Sequence, residues 1–197
     1  KSVNEIIGRT DLLSQVNKGS SNLDDLDLNP LLVQADPGTN PRYCKNKIIN
    51  KVPETLDETI WSEIKDSIDI KKVNKFEYKI ENTSRSVGTR LSHYVYKKFG
   101  NEKLMEDTIN IKFKGSAGQS LGAFLTKGIK IVVEGDTNDY VGKGLSGGSI
   151  IIRPSLKSRL SSNENTIIGN TVLYGATKGK LFASGQAGER FAVRNSG

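Results

Sequence analysis

The first strong pattern along the chain is helical. Leu56, Ile60, Ile64 and Ile68 recur at intervals of four, and the positions between them are mostly charged or polar. Residues four apart lie on one face of an α-helix, so this spacing predicts an amphipathic helix of about four turns. Its apolar stripe is expected to cover an end or a side of the structure that follows.

A strand and a second helix are predicted next. Apolar residues alternate with charged ones over residues 75–80, which is the pattern of a half-buried strand. A helix is predicted over about residues 84–99, where apolar residues fall on one stripe and Gly100 is placed to end it. The apolar strand residues are Phe76, Tyr78 and Ile80, and the helical stripe is Val87, Leu91 and Val95.

The rest of the chain contains an internal repeat. Of its 20 glycines, 15 fall in residues 115–197. Glycines and strand residues recur at a constant offset of 20 residues. The glycine matches are Gly115 with Gly135, Gly122 with Gly142 and Gly128 with Gly148, and the strand matches are Ile109 with Ile129, Ile111 with Ile131 and Phe113 with Val133. A period of this length, shared by turns and strands, predicts a stacked solenoid.

A third coil is expected at a longer spacing, from Gly144 to Gly175. The polar stretch 153–165 accounts for the difference as a protruding loop. Stacked coils need glycine where φ is positive or where neighbouring backbones touch. The predicted fold is therefore mainly β, a right-handed parallel β-helix preceded by an α/β lead-in. Its predicted structural glycine corners are Gly115, Gly122, Gly128, Gly135, Gly142, Gly144, Gly148, Gly175 and Gly179.

These patterns divide the chain into three predicted regions. Residues 1–54 carry Asp, Asn, Pro and Gly clusters between short apolar pieces, and we expect a connector with one or two short helical turns. Residues 55–106 are the predicted helix–strand–helix lead-in, and residues 107–197 are the predicted glycine-rich β-helix. Because the chain does not begin with Met, we expect it to be a piece of a longer protein.

Composition and charge narrow the function classes. The 197 residues are 35% hydrophobic and contain no long uninterrupted apolar run, so no membrane span is expected. The net charge of +7 invites a nucleic-acid interpretation, but no dense basic run or aromatic-flanked basic stripe supports such a partner. The N-terminus lacks the order of a secretory signal, so the protein is not expected to be secreted.

Few residues suggest chemistry. One cysteine, Cys44, and one histidine, His93, exclude an internal disulfide, a Cys/His metal site and an iron–sulfur cluster held by this chain. His93 has no partner acid or nucleophile nearby in sequence, so packing is expected rather than catalysis. Cys44 has basic neighbours that could activate it, but we expect an inert loop cysteine. The glycosylation triplet at Asn82 is interpreted as a chance match.

The glycine-rich segments match phosphate-binding motifs only in part. Residues 142–147 match the dinucleotide pattern GxGxxG, but a strand pattern follows where the fingerprint requires a helix. A Walker motif that includes Gly142 and Lys143 would need glycine at position 137, which is Thr, and Ser or Thr at position 144, which is Gly. Residues 115–122 could form an anion nest, yet their recurrence in the next repeat favours a structural corner.

Carboxylates near the repeat leave one enzymatic alternative open. Glu134, Asp136 and Asp139 could belong to a polysaccharide-cleaving β-helix, but the next coil supplies no matching acids, so turn capping is favoured. We therefore predict no catalytic, cofactor-binding or metal-binding residue in this chain. The alternative is a stand-alone β-helix enzyme or binding module.

Several longer segments resemble the GXGXG domain of the glutamate synthase large subunit. They are residues 115–124, 138–148, 174–177 and 188–196, and residues 7–13, 26–29 and 85–88 also resemble the segment that leads into that domain, while residues 36–54 match least. The resemblance implies a structural β-helix that carries no catalytic residue. Because the family continues with further coils, the resemblance also implies a chain truncated within the repeat.

The same resemblance implies a larger parent enzyme. The family converts glutamine and 2-oxoglutarate to two glutamates in nitrogen assimilation, as an oxidoreductase with glutamine amidotransferase activity. Its cysteine amidotransferase domain, its FMN- and iron–sulfur-containing synthase domain and the ammonia channel between them would be partners of this chain in one polypeptide. The electron donor would be ferredoxin or a pyridine-nucleotide-dependent small subunit, with the ferredoxin-dependent type favoured. The expected location is the plastid stroma or the cytoplasm.

Overall fold

The computed structural model describes residues 2–20, 24–45, 50–100 and 103–197. The chain divides into two compact units, Lys1–Val52 and Pro53–Gly197. In the first unit, the Gln15 amide accepts a hydrogen bond from the N–H of Leu28 and donates one to the carbonyl of Leu26, each at 2.8 Å. The described part of this unit contains three short 3-10 helices, where one or two helical turns were predicted: Val3–Glu5, Thr10–Leu12 and Asn29–Leu31.

The first helix of the second unit, α1, spans Leu56–Ile64 and is shorter than predicted. Ser67 ends it, because both its N–H and its hydroxyl donate to the carbonyl of Ile64, at 3.0 and 2.9 Å. Ile68 is therefore outside the helix, although it still packs against the core. The four-turn prediction was wrong because the apolar spacing continues beyond the residue that turns the backbone.

The second helix, α2, spans Thr89–Phe99 and begins later than predicted. Ser86 and Gly88 have φ of 54° and 99°, which an α-helix does not allow. The N–H of Ser86 instead donates to the carbonyl of Gln119 at 2.8 Å, so this segment is a turn. The helix ends as predicted, since Gly100 follows Phe99 with φ of 72°.

A parallel sheet organises the second unit, and with the two helices it makes an α/β fold. The strands are β1 Asn74–Ile80, β2 Ile109–Ala117, β3 Ile129–Thr137, β4 Ser146–Arg153, β5 Thr166–Ile168, β6 Lys178–Ala183 and β7 Gln186–Ala187. Five of them lie in the order β1-β2-β3-β4-β6, and a separate two-stranded sheet pairs β5 with β7. All pairs are parallel.

The register of the strands follows the sequence repeat. Ile111 of β2 lies opposite Ile131 of β3, as the repeat predicted. The longer spacing predicted for the third repeat is also present in the sheet, because Ser149 of β4 pairs with Lys180 of β6. Strand β1 joins the same sheet with Asn74 opposite Ile109, although no repeat was recognised there.

The core of the second unit lies between one face of the sheet and the segments that cover it. Every second strand residue points inward, because successive side chains of a strand alternate between the two faces. Helices α1 and α2 add their apolar stripes to the same core, through Ile60, Ile64, Leu91 and Val95. In the five-stranded sheet the inward residues with no measurable exposure are Ile109, Ile111, Phe113, Ile129, Ile131, Val133, Ile150 and Ile152.

Candidate functional site

A column of stacked turns runs beside the five-stranded sheet. We call the segments 86–88, 120–124, 140–144, 171–175 and 190–194 the turn column. In its last four turns the first, third and fifth residues all have φ between 55° and 66°. These residues are Ser120, Gly122, Phe124, Tyr140, Gly142, Gly144, Thr171, Leu173, Gly175, Arg190, Ala192 and Arg194.

Backbone hydrogen bonds join each turn to its neighbours in alternating directions. The N–H of Tyr140, the first residue of its turn, donates to Asn170 at 2.9 Å, just before the following turn. The N–H of Gly142 donates backwards to Leu121 at 2.9 Å, and that of Gly144 donates forwards to Tyr174 at 2.8 Å. The positive φ at every second residue thus lets one turn bond to the layers on both sides.

Four of the nine predicted glycine corners, Gly122, Gly142, Gly144 and Gly175, lie in the turn column with positive φ. The other five lie in strands or next to them: Gly115, Gly128, Gly135, Gly148 and Gly179. Among these, Gly115 and Gly135 face each other in β2 and β3. A Cβ on Gly135 would lie 2.0 Å from the carbonyl oxygen of Gly115, so the backbones touch there.

The phosphate-binding motifs have no structural support in the described residues. The GxGxxG match over residues 142–147 runs directly into strand β4, which begins at Ser146, so no helix follows it. The segment 115–122 uses its backbone N–H groups inside the fold. Those of Ser120 and Gly122 donate to the carbonyls of Asp139 and Val87 at 2.8 and 2.7 Å. They are therefore not directed at a bound anion.

The three carboxylates considered for catalysis take separate roles. Glu134 forms an ion pair with Lys112 at 2.6 Å, and the hydrogen bond from Lys112 holds the pKa of that carboxyl below its usual value. Asp139 accepts the N–H of Asn170 at 2.7 Å, which is a turn-capping contact. Asp136 is exposed and lines a shallow polar groove that Asn82 also lines. No shared proton or bridging contact joins Glu134 to Asp139 among the described contacts.

The remaining candidates, His93 and Cys44, belong to different units of the chain. His93 is exposed on α2, where its ring meets the edge of Tyr94 with centroids 5.7 Å apart. Cys44 is exposed in the first unit. Within the ranges that the structure describes, no group of three or more His, Cys, Asp and Glu side chains could hold a metal ion. The same ranges contain no helix that is long and apolar enough to cross a membrane.

The contact between α1 and α2 depends on a residue that the sequence analysis missed. Asp57 of α1 is 1% exposed and accepts the N–H groups of Gly88, Arg90 and Leu91 at 2.7, 2.8 and 3.2 Å. Burial raises the pKa of Asp57, and the three backbone donors act in the opposite direction. The side chain thus caps the N-terminus of α2, where a negative charge is favoured.

The neighbouring Glu58 also joins the two helices. It closes a capping box with Thr55, whose N–H and hydroxyl both donate to it at 2.6 Å, and it pairs with Arg90 of α2. Burial acts to raise the pKa of Glu58, but the hydrogen bonds from Thr55 and Arg90 outweigh it and lower the pKa to about 2. The pattern Thr55-x-x-Glu58 is a capping-box signature, so this contact was detectable in the sequence.

Known proteins resemble this chain along its full length. It is 59% identical to the NADPH glutamate synthase large chain of Azospirillum brasilense and 43% identical to the NADH glutamate synthase of Saccharomyces cerevisiae, in each case over the whole chain. A ferredoxin-dependent glutamate synthase of Synechocystis sp. is 43% identical over the whole chain. The matching relatives therefore include both expected electron-donor types, the pyridine-nucleotide-dependent and the ferredoxin-dependent.

The chain corresponds to a small part of these relatives. It spans 13% of the Azospirillum and Synechocystis proteins and 9% of the yeast protein. Residues 57–197, which include α2, both sheets, the turn column and all of α1 except Leu56, match the family described as the GXGXG motif. The chain therefore belongs to the GXGXG motif family, and the relatives that it matches along its whole length are glutamate synthases.

Proposed function

We propose that this chain is a structural domain of a glutamate synthase, which converts glutamine and 2-oxoglutarate to two glutamates. The domain holds the amidotransferase domain and the FMN-containing synthase domain of the same polypeptide so that ammonia passes between them. The observation that carries this proposal is the double set of backbone hydrogen bonds, which stacks strands and turns layer on layer. Such layers brace one another and make a stiff spacer whose outer faces are available for docking.

The proposed architecture is a right-handed parallel β-helix over residues 107–197, preceded by the lead-in 55–106 and the connector 1–54. Three features support it: the strands stack in chain order, the turns stack beside them, and β5 and β7 form a second parallel pair. The nine glycines are its structural glycines, four in the turn column and five in strands or next to them. An experimental structure of the whole enzyme in which the chain winds left-handed, or does not close into coils, would contradict this architecture.

The proposed cofactors belong to other domains of the parent enzyme. An iron–sulfur cluster needs about three or four cysteines, and this chain has one, so its own residues do not fit that group. The glycine-rich segment before β4 lacks the helix N-terminus that would hold the phosphate of FMN. The electron donor, ferredoxin or a pyridine-nucleotide-dependent small subunit, and the location in plastid stroma or cytoplasm stay part of this proposal.

The proposal is tested by Gly142→Val in the full-length enzyme. Gly142 has φ of +64°, and a Cβ there lies 3.0 Å from the side chain of Leu173, so valine strains the turn column. We expect a lower melting temperature and fewer glutamates formed per glutamine hydrolysed. Glutaminase and synthase half-reactions, assayed separately with glutamine and with ammonia, should decline less than the coupled reaction.

Lys143→Val is the matched control, because it places the same side chain on the next residue, which is exposed and has no positive φ. It should leave both stability and coupling near wild type. Selective loss of FMN or of one half-reaction in Gly142→Val would instead make this turn part of an active site and refute the structural role. Cleavage of acidic polysaccharides by the protein would favour the stand-alone enzyme.

A further inference from the structure

The outward face of the five-stranded sheet has an apolar centre. Val132, Ile151 and Phe182 lie side by side on β3, β4 and β6 in one register row. Val132 and Ile151 are half-buried, and Phe182 is 59% exposed. We call this side of the sheet the outer sheet face. A contiguous apolar row on an exposed sheet is a feature of interaction surfaces.

The rows beside this centre are mainly basic. One row contains Lys75, Lys130 and Lys180, and the other contains Lys79, Lys114 and Arg153. An apolar centre with a charged rim is the usual anatomy of a protein–protein interface. The positive charge of these two rows favours a partner whose own surface is acidic.

Acidic side chains on or near the face neutralise only part of this charge. Glu77 and Glu134 pair with Lys112, and Glu77 also pairs with Lys114. Just before β2, Asp107 pairs with Lys130 at 2.9 Å and Glu106 pairs with Lys180 at 2.5 Å. Among the described residues Lys75 and Lys79 form no ion pair, so the end of the face at β1 keeps its positive charge.

The size of the face indicates what kind of partner it can hold. Five strands spaced about 4.8 Å apart and about six residues long give a projected area of roughly 400 Å². A stable interface between separate proteins buries about 800 Å² on each partner. A surface of this size holds a partner well only when both belong to one chain, where the effective concentration reaches about 1 mM.

We propose that the outer sheet face docks an acidic, apolar-centred surface of another domain of the same polypeptide. This inference rests on the proposed function, because it takes the chain to be one domain of a longer glutamate synthase, as its relatives' lengths indicate. Phe182 is the apolar anchor of the contact, and Lys75 and Lys79 supply charge complementarity. A nucleic acid or an anionic membrane would use the basic rim but would give the apolar row no matching contact.

The test is lysine acetylation of the full-length enzyme, followed residue by residue by mass spectrometry. A docking constant of about 0.1 mM at an effective concentration of about 1 mM leaves the face covered about nine-tenths of the time. Lys75 and Lys79 should then react about tenfold more slowly than Lys71 and Lys97, which are exposed elsewhere. Raising NaCl from about 0.05 to about 0.5 M should remove much of this protection.

Phe182→Ser tests the apolar anchor, with Tyr96→Ser on α2 as the matched control at 52% exposure. Loss of an anchor weakens docking about thirtyfold, which opens the face about three-quarters of the time and speeds acetylation of Lys75 about eightfold. Tyr96→Ser should leave that rate unchanged. Lys79→Glu tests the charge contribution without altering an apolar side chain. The measured quantity is the acetylation rate of Lys75.

Several outcomes would overturn the docking proposal. Lys75 and Lys79 could react as fast as Lys71, or their protection could survive Phe182→Ser and high salt. Protection that rises with protein concentration would indicate a second copy, and protection that requires added RNA or anionic vesicles would indicate another class of partner. A full-length protein with protected lysines but no glutamate synthase activity would refute the proposed function and leave the docking contact standing.

Discussion

The five-stranded sheet and the turn column both hydrogen-bond each layer to the next, but they do so with different backbones. In the sheet the layers are extended, and apolar residues alternate with polar ones as any half-buried strand requires. In the turn column every second residue has positive φ, yet only four of the twelve such positions in its last four turns are glycine. The other eight carry side chains in a conformation that costs L-residues about 1 kcal/mol each.

The sheet and the turn column therefore contribute differently to the free energy of unfolding. The inward rows of the sheet bury large aliphatic side chains, each worth about 1.5–3 kcal/mol relative to exposure. The turns bury less and carry strain, so they depend on hydrogen bonds to the layers on both sides. The first turn, 86–88, has no earlier turn before it among the described residues, and the side chain of Asp57 binds its end instead.

The largest effect is expected where two layers of the sheet touch. Gly135→Ala places a Cβ 2.0 Å from the carbonyl oxygen of Gly115, and backbone on both sides of a parallel pair cannot move away cheaply. We expect a loss of about 4 kcal/mol in the free energy of unfolding, or failure to fold. Urea unfolding followed by circular dichroism measures it.

Gly175→Ala is the control for that substitution in the turn column. Gly175 has φ of +66° but nothing within 4 Å of its Cβ position. The only cost of alanine there is therefore its positive φ. The expected loss is about 1 kcal/mol. Equal losses at Gly135 and Gly175 would show that close approach is not what distinguishes the sheet from the turns.

The next largest effect is expected at the first turn. Asp57→Ala leaves the buried N–H groups of Gly88, Arg90 and Leu91 without their acceptor, which should cost about 3 kcal/mol. Asp57→Asn keeps an oxygen acceptor and should cost less. Asp66→Ala on an 84% exposed side chain is the neutral control. An Asp57→Ala variant as stable as wild type in urea would mean that the first turn needs no anchor.

A smaller, pH-dependent effect is expected from Glu58. Its pKa is lowered to about 2 from the usual 4.5, so its contribution to stability is complete above pH 4.5 and is lost as the pH falls towards 2. Glu58→Gln should therefore cost about 1–2 kcal/mol at pH 7 and little near pH 2. Unfolding curves for both proteins across this range measure the difference. If the difference in the free energy of unfolding between the two proteins did not narrow on acidification, the assigned ionic contacts would be contradicted.

The sheet was largely predictable from the sequence because its determinants are local and periodic. The repeat placed Ile111 opposite Ile131, and the longer spacing of the third repeat agrees with the β4–β6 pair. The repeat was not recognised at β1 because α2 is inserted between β1 and β2. This insertion lengthens the offset from Asn74 to Ile109. The turn over 190–194 was missed because it contains no glycine at all.

The turns and helix ends were less predictable, because distant residues decide them. Apolar periodicity carried α2 back to about residue 84, but the hydrogen bond from Ser86 to Gln119 and the cap from Asp57 fix its start at Thr89. Glycine marks the positive φ at only four of the twelve such positions in the last four turns. At Tyr140 or Leu173 the neighbouring layers impose the same φ on a side chain, which no single-residue preference reveals.

The smallest expected effect reverses the usual sign of a glycine substitution. Thr171 is a β-branched residue with φ of 55°, and its N–H bond to Glu189 at 2.8 Å survives removal of the side chain. Relief of about 1–2 kcal/mol of strain should exceed the entropy cost of glycine, about 0.5–1 kcal/mol, so Thr171→Gly should stabilise the protein by about 0.5 kcal/mol. Thr166→Gly, at the exposed first residue of strand β5, should instead lose about 1 kcal/mol, since no positive φ is relieved there. Calorimetric melting of both variants measures the two effects. If both lose stability equally, the positive φ at Thr171 carries no strain, and the contrast between sheet and turns does not extend to the side chains.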